Sequence, residues 1–186
     1  MALSDSELIH QINNGNEKAF TELIERYQNK VYNTAYRILG NHEDALDLAQ
    51  ESFIRIYKNL NKFQGKSSFS TWLFRITTNL CRDELRKRKR KPVIQEENFS
   101  NIYQEEENPE KISLSRELNS LIQEKIDSLV PEQKVVFTLR EFQGLSYQEI
   151  ADILGVSMGT VKSRLSRARQ ALREDLFEII SKGGLE

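Results

Sequence analysis

The chain has 186 residues, 38% of them hydrophobic and 30% charged, and a formal net charge of −1. That length allows one medium domain or two small ones, and so wet a composition suits two small helical domains better than one large core. A single cysteine, Cys81, excludes an internal disulfide and a cysteine-rich zinc site, and the polar N-terminus and short apolar runs exclude a signal peptide and a membrane span, so a soluble cytoplasmic protein is expected, with no cofactor, metal or membrane insertion.

Helix punctuation is dense along the chain. Ser4-x-x-Glu7 is a capping box that opens a short first helix, which Gly15 ends. A second helix is predicted over Glu17–Leu39, with Phe20, Leu23, Ile24, Tyr27, Val31, Ala35 and Ile38 as its apolar stripe and Gly40 at its stop. A third runs over about His42–Leu60 and buries Ala45, Leu48, Ala49, Ser52, Phe53 and Ile56. A polar loop, Asn61–Ser68, leads to a fourth helix capped by Ser70 and running through Lys87. After a break, a helix runs from near Ile112 to a stop before Pro131. Another spans about Glu132–Phe142 and ends at Gly144. Ser146-x-x-Glu149, a second capping box, opens a short helix to Leu154; Gly155 breaks it, and Ser157 caps a last helix to about Ser181. No strand pattern and no internal repeat is present. The expected fold is all-α, with two helical bundles, 1–90 and 113–186, joined by a linker at 91–112.

The near-zero net charge hides strong segregation. Arg82–Lys91 holds seven cations against Asp83 and Glu84, Gln95–Glu110 holds six acids and no base, and Met158–Arg173 holds five cations and no acid. Local blocks such as these, not the total, set the field that a polyanion meets. The linker, with Pro92, Pro109 and its acids, has no clear period.

The strongest local motif is SYQEIADILGVSMGTVKSRLSRARQAL, residues 146–172. Two helices meet across a turn centred on Gly155. Ala151 allows close approach, and Ile150, Leu154, Val156, Val161 and Leu165 supply a shared core. Spacing of this kind reads as a helix-turn-helix. Its second helix opens with Ser157, Gly159, Thr160, Lys162 and Ser163, suited to base edges, and continues with Arg164, Arg167 and Arg169, suited to phosphates or guanine edges. The plainer alternative is an αα-hairpin with a solvated basic face; the coincidence of turn, small residue and acid-free helix favours DNA.

In the N-terminal half, RYQNKVYNTAYRILGNHEDALDLAQESFIRIYKNLNKF followed by SSFSTWLFRITTNLCRDELRKRKR resembles the first conserved domain of bacterial RNA polymerase sigma factors. The second half resembles their promoter-reading C-terminal domain, and the lack of any other domain points to the extracytoplasmic-function (ECF) group, with a look similar to the sigma-W-like members. The resemblance implies a sigma factor that binds core RNA polymerase, at the clamp helices of its largest subunit and the flap of the second-largest, and directs promoter recognition, melting and initiation. It also implies an anti-sigma partner, through which the chain could be held at the membrane.

Residue by residue, Asp44, Asp47 and Glu51, with Gln50 beside them, share a face of the third helix. The resemblance assigns that face to core polymerase, where opposite charge would orient assembly; the alternative is a solvated helix surface. The fourth helix and the loop before it are implied to open the −10 element. Phe63, Ser68, Phe69, Ser70 and Trp72 would form the pocket region, with Arg75, Asn79, Arg82, Asp83 and Arg86 along one polar stripe. An unstacked base needs an aromatic partner and cations on its backbone, and an amide such as Asn79 can pair with a base edge. The plainer alternative for Trp72 is a core residue, since one buried tryptophan is common in small bundles. The helix-turn-helix is implied to read the −35 element. The acidic linker either mimics nucleic acid in a basic channel or is a solubilising tether; extended, it reaches about 70 Å.

Enzyme chemistry is not expected. His10 and His42 lack a Cys or paired carboxylates beside them, Cys81 sits mid-helix, and no phosphate-binding Gly loop exists. Two other readings are a free-standing helix-turn-helix regulator, which would bind duplex DNA without polymerase, and an interaction adaptor, which leaves the basic blocks unexplained.

Overall fold

In the computed structural model, residues 3–90 and 120–183 are described, with side chains to residue 173. Short-range chemistry sets the element ends. In the first capping box the Ser4 hydroxyl accepts from the Glu7 amide at 3.3 Å while the Ser4 amide donates to the Glu7 carboxylate at 2.7 Å, opening α1 (Asp5–Asn13). Helix α2 (Glu17–Leu39) is capped by Asn16 and closed by Gly40 in the left-handed region, φ 70°. Helix α3 (His42–Asn59) is capped by Asn41, whose side chain accepts from the Asp44 amide. It tightens into a 3-10 turn, Leu60–Lys62, that occupies the start of the expected loop.

Helix α4 spans Phe69–Arg90, a turn longer at its end than the sequence reading gave. Its cap is Ser68, not Ser70: the Ser68 hydroxyl accepts from the Thr71 amide at 3.1 Å. Starting two residues early lets Phe69 enter the core, where it is 3% exposed. The four helices enclose Leu8, Leu23, Val31, Ile56, Leu73 and their neighbours.

The C-terminal half begins with helix α5, described over residues 120–128. The expected helix start near Ile112 and the linker lie outside the described residues. Helix α6 (Pro131–Phe137) takes Pro131 as its first residue, where a missing N–H costs nothing. It then widens into a π-helical turn, Thr138–Phe142, so the expected single helix to Phe142 changes register part-way. Among the described residues, the buried Thr138 hydroxyl at the start of that turn has no hydrogen-bond partner. Helix α7 (Tyr147–Leu154) opens on the second capping box, with both Ser146–Glu149 bonds made, and closes at Gly155, φ 64°. Helix α8 runs over Met158–Gly183.

The two bundles are not separate beads. One apolar cluster crosses between them, joining Ile38, Leu39, Phe74 and Cys81 of the first to Val135, Leu139, Ile150 and Val161 of the second. Polar contacts finish the seam. The Arg37 guanidinium donates to the Gln123 side chain at 3.2 Å and stacks 4.5 Å over the Phe142 ring, and Arg75 donates to the Asp152 carbonyl at 2.8 Å. Gly40 does double duty: a Cβ there would lie 2.8 Å from the Asp127 carboxylate of α5.

Candidate nucleic-acid interface

The turn between α7 and α8 is built as its residues demand. Gly155 supplies the left-handed residue, and the Val156 amide donates to the Ala151 carbonyl at 3.1 Å. Ser157 caps α8, its hydroxyl accepting from the Thr160 amide at 3.1 Å. Ile150, Ala151, Val161 and Leu165 are buried together, which fixes the angle between the helices.

With that face buried, helical periodicity turns Gly159, Lys162, Ser163 and Arg167 outward on one exposed face at the start of α8. Ser166, not singled out by the sequence reading, completes it. Ser157 is exposed and Thr160 half-buried, with their hydroxyls 2.9 Å apart. Two arginines stand elsewhere. Arg169 is exposed and donates twice to Glu141 of the π-turn, at 2.6 and 3.1 Å, and that bond raises its pKa. Arg164 turns toward the first bundle, where it lines a cleft with Arg82 and Arg86.

On the first bundle, Phe63, Phe69 and Trp72 form one aromatic cluster with ring centroids 5.3 to 6.0 Å apart. Phe69 is its buried floor, and Phe63 and Trp72 are half-buried above it. Ser68 is held by capping and Ser70 by a 2.9 Å bond to it. Arg75, Asn79 and Arg86 are exposed along α4, with Arg82 half-buried in the same row. Asp83 leaves that row to pair with Arg86 at 3.1 Å. The row faces the seam: Arg75 is engaged by Asp152, so the stripe on α4 and the turn of the helix-turn-helix look toward each other.

The acidic face of α3 divides. Asp44 bonds Arg88 of α4, and Glu51 pairs with Arg55 at 2.6 Å, while Asp47 and Gln50 stay exposed. Gln50 borders a feature the charge pattern did not disclose. A groove of about 510 Å³ between α2 and α3 is lined by Ile24, Tyr32, Leu46, Phe53 and Ile54. Leu46 and Ile54 are 39% and 46% exposed, unusual for large apolar side chains. The signal was present in the sequence as apolar residues falling off the buried stripe of α3.

Comparison with known proteins decides the family. Residues 23–91 match the family model for sigma-70 region 2, and residues 120–172 match that for sigma-70 region 4. The chain is 38% identical to the ECF RNA polymerase sigma factor SigW of Bacillus subtilis, over 96% of this chain and 100% of that one. It is 39% identical to the ECF RNA polymerase sigma-E factor of Escherichia coli, over 96% and 97%. The chain belongs to the ECF RNA polymerase sigma factors.

Among solved structures, it resembles CnrH in complex with the cytosolic domain of CnrY, with a TM-score of 0.68 and 27% identity over 94% of this chain and 97% of that one. It also resembles the sigma factor RpoE in complex with the anti-sigma factor NepR from Bartonella quintana, with a TM-score of 0.69 and 25% identity over 86% and 97%. As an ECF sigma factor the chain directs transcription initiation, with core RNA polymerase and promoter DNA as its partners. Identity to sigma-E factors is as high as to SigW, so a sigma-W-like character is not singled out. Among the described residues, no helix of this sigma factor is long and apolar enough to cross a membrane.

Proposed function

We propose that the work of this sigma factor is divided among three surfaces. The groove between α2 and α3, with Leu46, Ile54, Gln50 and Asp47 at its rim, docks core polymerase. Exposed apolar side chains beside an unpaired carboxylate are what a protein interface needs: desolvation for affinity and charge for orientation. Asp44 and Glu51, already paired within the chain, are left with a supporting role.

The second surface is the Phe63–Trp72 cluster with Asn79, Arg82 and Arg86, which takes the melted −10 strand. Its half-buried rings offer a stacking face and its cations follow the backbone. The third is the exposed face of α8. Lys162, Ser163 and Arg167 read the −35 major groove, while Arg169, braced by Glu141, meets phosphate. The observation that carries this reading is the geometry of α8, whose acid-free N-terminal face projects from a buried helix-turn-helix core. The chain is not an enzyme on this reading, and it works in the cytoplasm. The likeness to RpoE bound to NepR supports an anti-sigma partner for this chain, through which any hold at the membrane would come.

Run-off transcription with core polymerase tests the division. Asp47→Lys is expected to weaken core binding with the fold intact, and Arg167→Ala to weaken upstream-element binding by about 1–3 kcal/mol if it lies on a base edge. Arg169→Ala should lower affinity evenly across sequences. Normal core binding by Asp47→Lys would move the docking face elsewhere. Specific duplex binding with no dependence on core would replace the sigma-type division with an ordinary regulator's.

A further inference from the structure

Across the seam, α4 and α8 bring like charges together. Arg82, Arg86 and Lys89 of the first bundle and Arg164 of the second line one cleft of about 210 Å³, over an apolar floor that includes Leu85, Val135 and Leu154. A single carboxylate, Glu132, stands at its edge. The rest of α4 is managed differently. Arg88 bonds Asp44 and lies 3.7 Å from Glu84, and Lys87 lies 3.3 Å from Glu84. Lys87 and Arg88, which face away from the cleft, are thus matched, whereas among the described residues Arg82, Lys89 and Arg164 have no acidic partner within ion-pair distance. Arg86 has only the exposed Asp83, a surface pair of small worth. Four cations converging from two bundles repel one another, and a multivalent anion between them would relieve that repulsion.

We propose that this cleft is a binding site for a small phosphate-rich anion, pyrophosphate or the diphosphate group of a nucleotide, which bridges the two bundles and latches them together. The size of the cleft sets the ligand class. A cleft of about 210 Å³ lined by four cations calls for a compact anion that reaches several of them at once. A diphosphate is such an anion, and its oxygens accept from guanidinium and ammonium donors in the strong, charge-assisted way. Arg82 and Arg86 are also among the cations proposed above to meet DNA, so a bound anion and an engaged promoter exclude each other. The anion site itself stands on the cleft and not on that assignment.

The test is isothermal titration of the full chain with inorganic pyrophosphate, with a nucleoside diphosphate, and with sulfate at matched ionic strength. Saturable one-to-one binding of the diphosphates, well above sulfate, is expected. Lys89→Ala should weaken it by about tenfold, the loss of one charge-assisted bond, and Glu132→Gln should tighten it. Pyrophosphate binding alone would make the free anion the ligand, and a clear preference for the nucleoside diphosphate would make it a nucleotide. Equal, unsaturated heats with all three anions would reduce the effect to screening and overturn the proposal. So would sensitivity to Lys89→Ala with none to Glu132→Gln, because the site would then lie on α4 alone and bridge nothing.

Discussion

Individual buried residues show how burial fixes chemistry. Cys81 is fully buried in the cluster that joins the bundles, and burial pushes its thiol up to about 12 from an ordinary 9.0. A thiol so poised is almost wholly protonated at neutral pH and a poor nucleophile. Thiol reagents at pH 7.5 should leave it unmodified until denaturant is added; fast labelling of the native chain would place it at the surface. The raised folded value also sets the sign of its pH dependence. Its contribution to stability is complete below about pH 9 and is lost as pH rises through about 12. Cys81→Ala should therefore flatten the alkaline limb of the stability curve. Thr138 is a complementary case. Its hydroxyl is buried with no partner among the described residues, a state that costs about 1–3 kcal/mol. Thr138→Val keeps the shape and removes the orphan group, so thermal unfolding should show a midpoint unchanged or higher. A clear drop would mean that the hydroxyl has a partner after all.

At the scale of elements, capping chemistry carries most of the local instruction. In the box that opens α7, hydrogen bonds from the Ser146 hydroxyl and amide hold the Glu149 carboxyl below its usual range. Its stabilising effect is present above about pH 4.5 and disappears as pH falls. Ser146→Ala should cost about 1 kcal/mol and reduce that acid dependence, the backbone amide at 146 still donating to Glu149; unaltered acid unfolding would show the hydroxyl to be idle. Such signals are local, which is why both boxes, the whole of α2 and the turn at Gly155 were legible in the sequence. The start of α4 was not, because Ser67, Ser68, Ser70 and Thr71 all carry a capping hydroxyl. The choice among them is made by Phe69, which reaches the core only if the helix begins at Ser68. The π-turn was equally hidden. An apolar stripe does not reveal a change of hydrogen-bond register, nor the bonds that accompany it here: the Leu145 amide donates to the Leu139 carbonyl, and Arg140 to the Leu145 carbonyl. Of the candidate sites, the α8 face was readable from its charge and period. The inward turns of Asp44 and Arg75 were not, since their partners, Arg88 and Asp152, lie far along the chain.

For the whole molecule, the seam raises the question of what must move. Two promoter elements about two helical turns apart are separated by roughly 70 Å. A compact chain of this length has a radius of gyration of only about 16 Å. The packed arrangement, with Arg75 of α4 bonded to the carbonyl of Asp152 in the helix-turn-helix, cannot reach both elements together. On the division of surfaces proposed above, promoter engagement requires the bundles to part, and seam residues set how much free energy that takes. Arg37 is the clearest of them. Burial lowers its pKa, it bonds Gln123, and it stacks over Phe142, yet it lies on neither of the two surfaces proposed to face DNA. A partly buried cation–π contact contributes about 0.5–2 kcal/mol, and truncation also leaves Gln123 short of a partner. Arg37→Ala should shift the population toward the open form, because the closed form alone loses these contacts. Small-angle scattering should then report a larger radius of gyration. Binding of the free chain to −35 duplex should tighten by up to about tenfold, since less free energy is spent on opening. An unchanged radius together with unchanged duplex affinity would mean that the apolar cluster alone holds the seam.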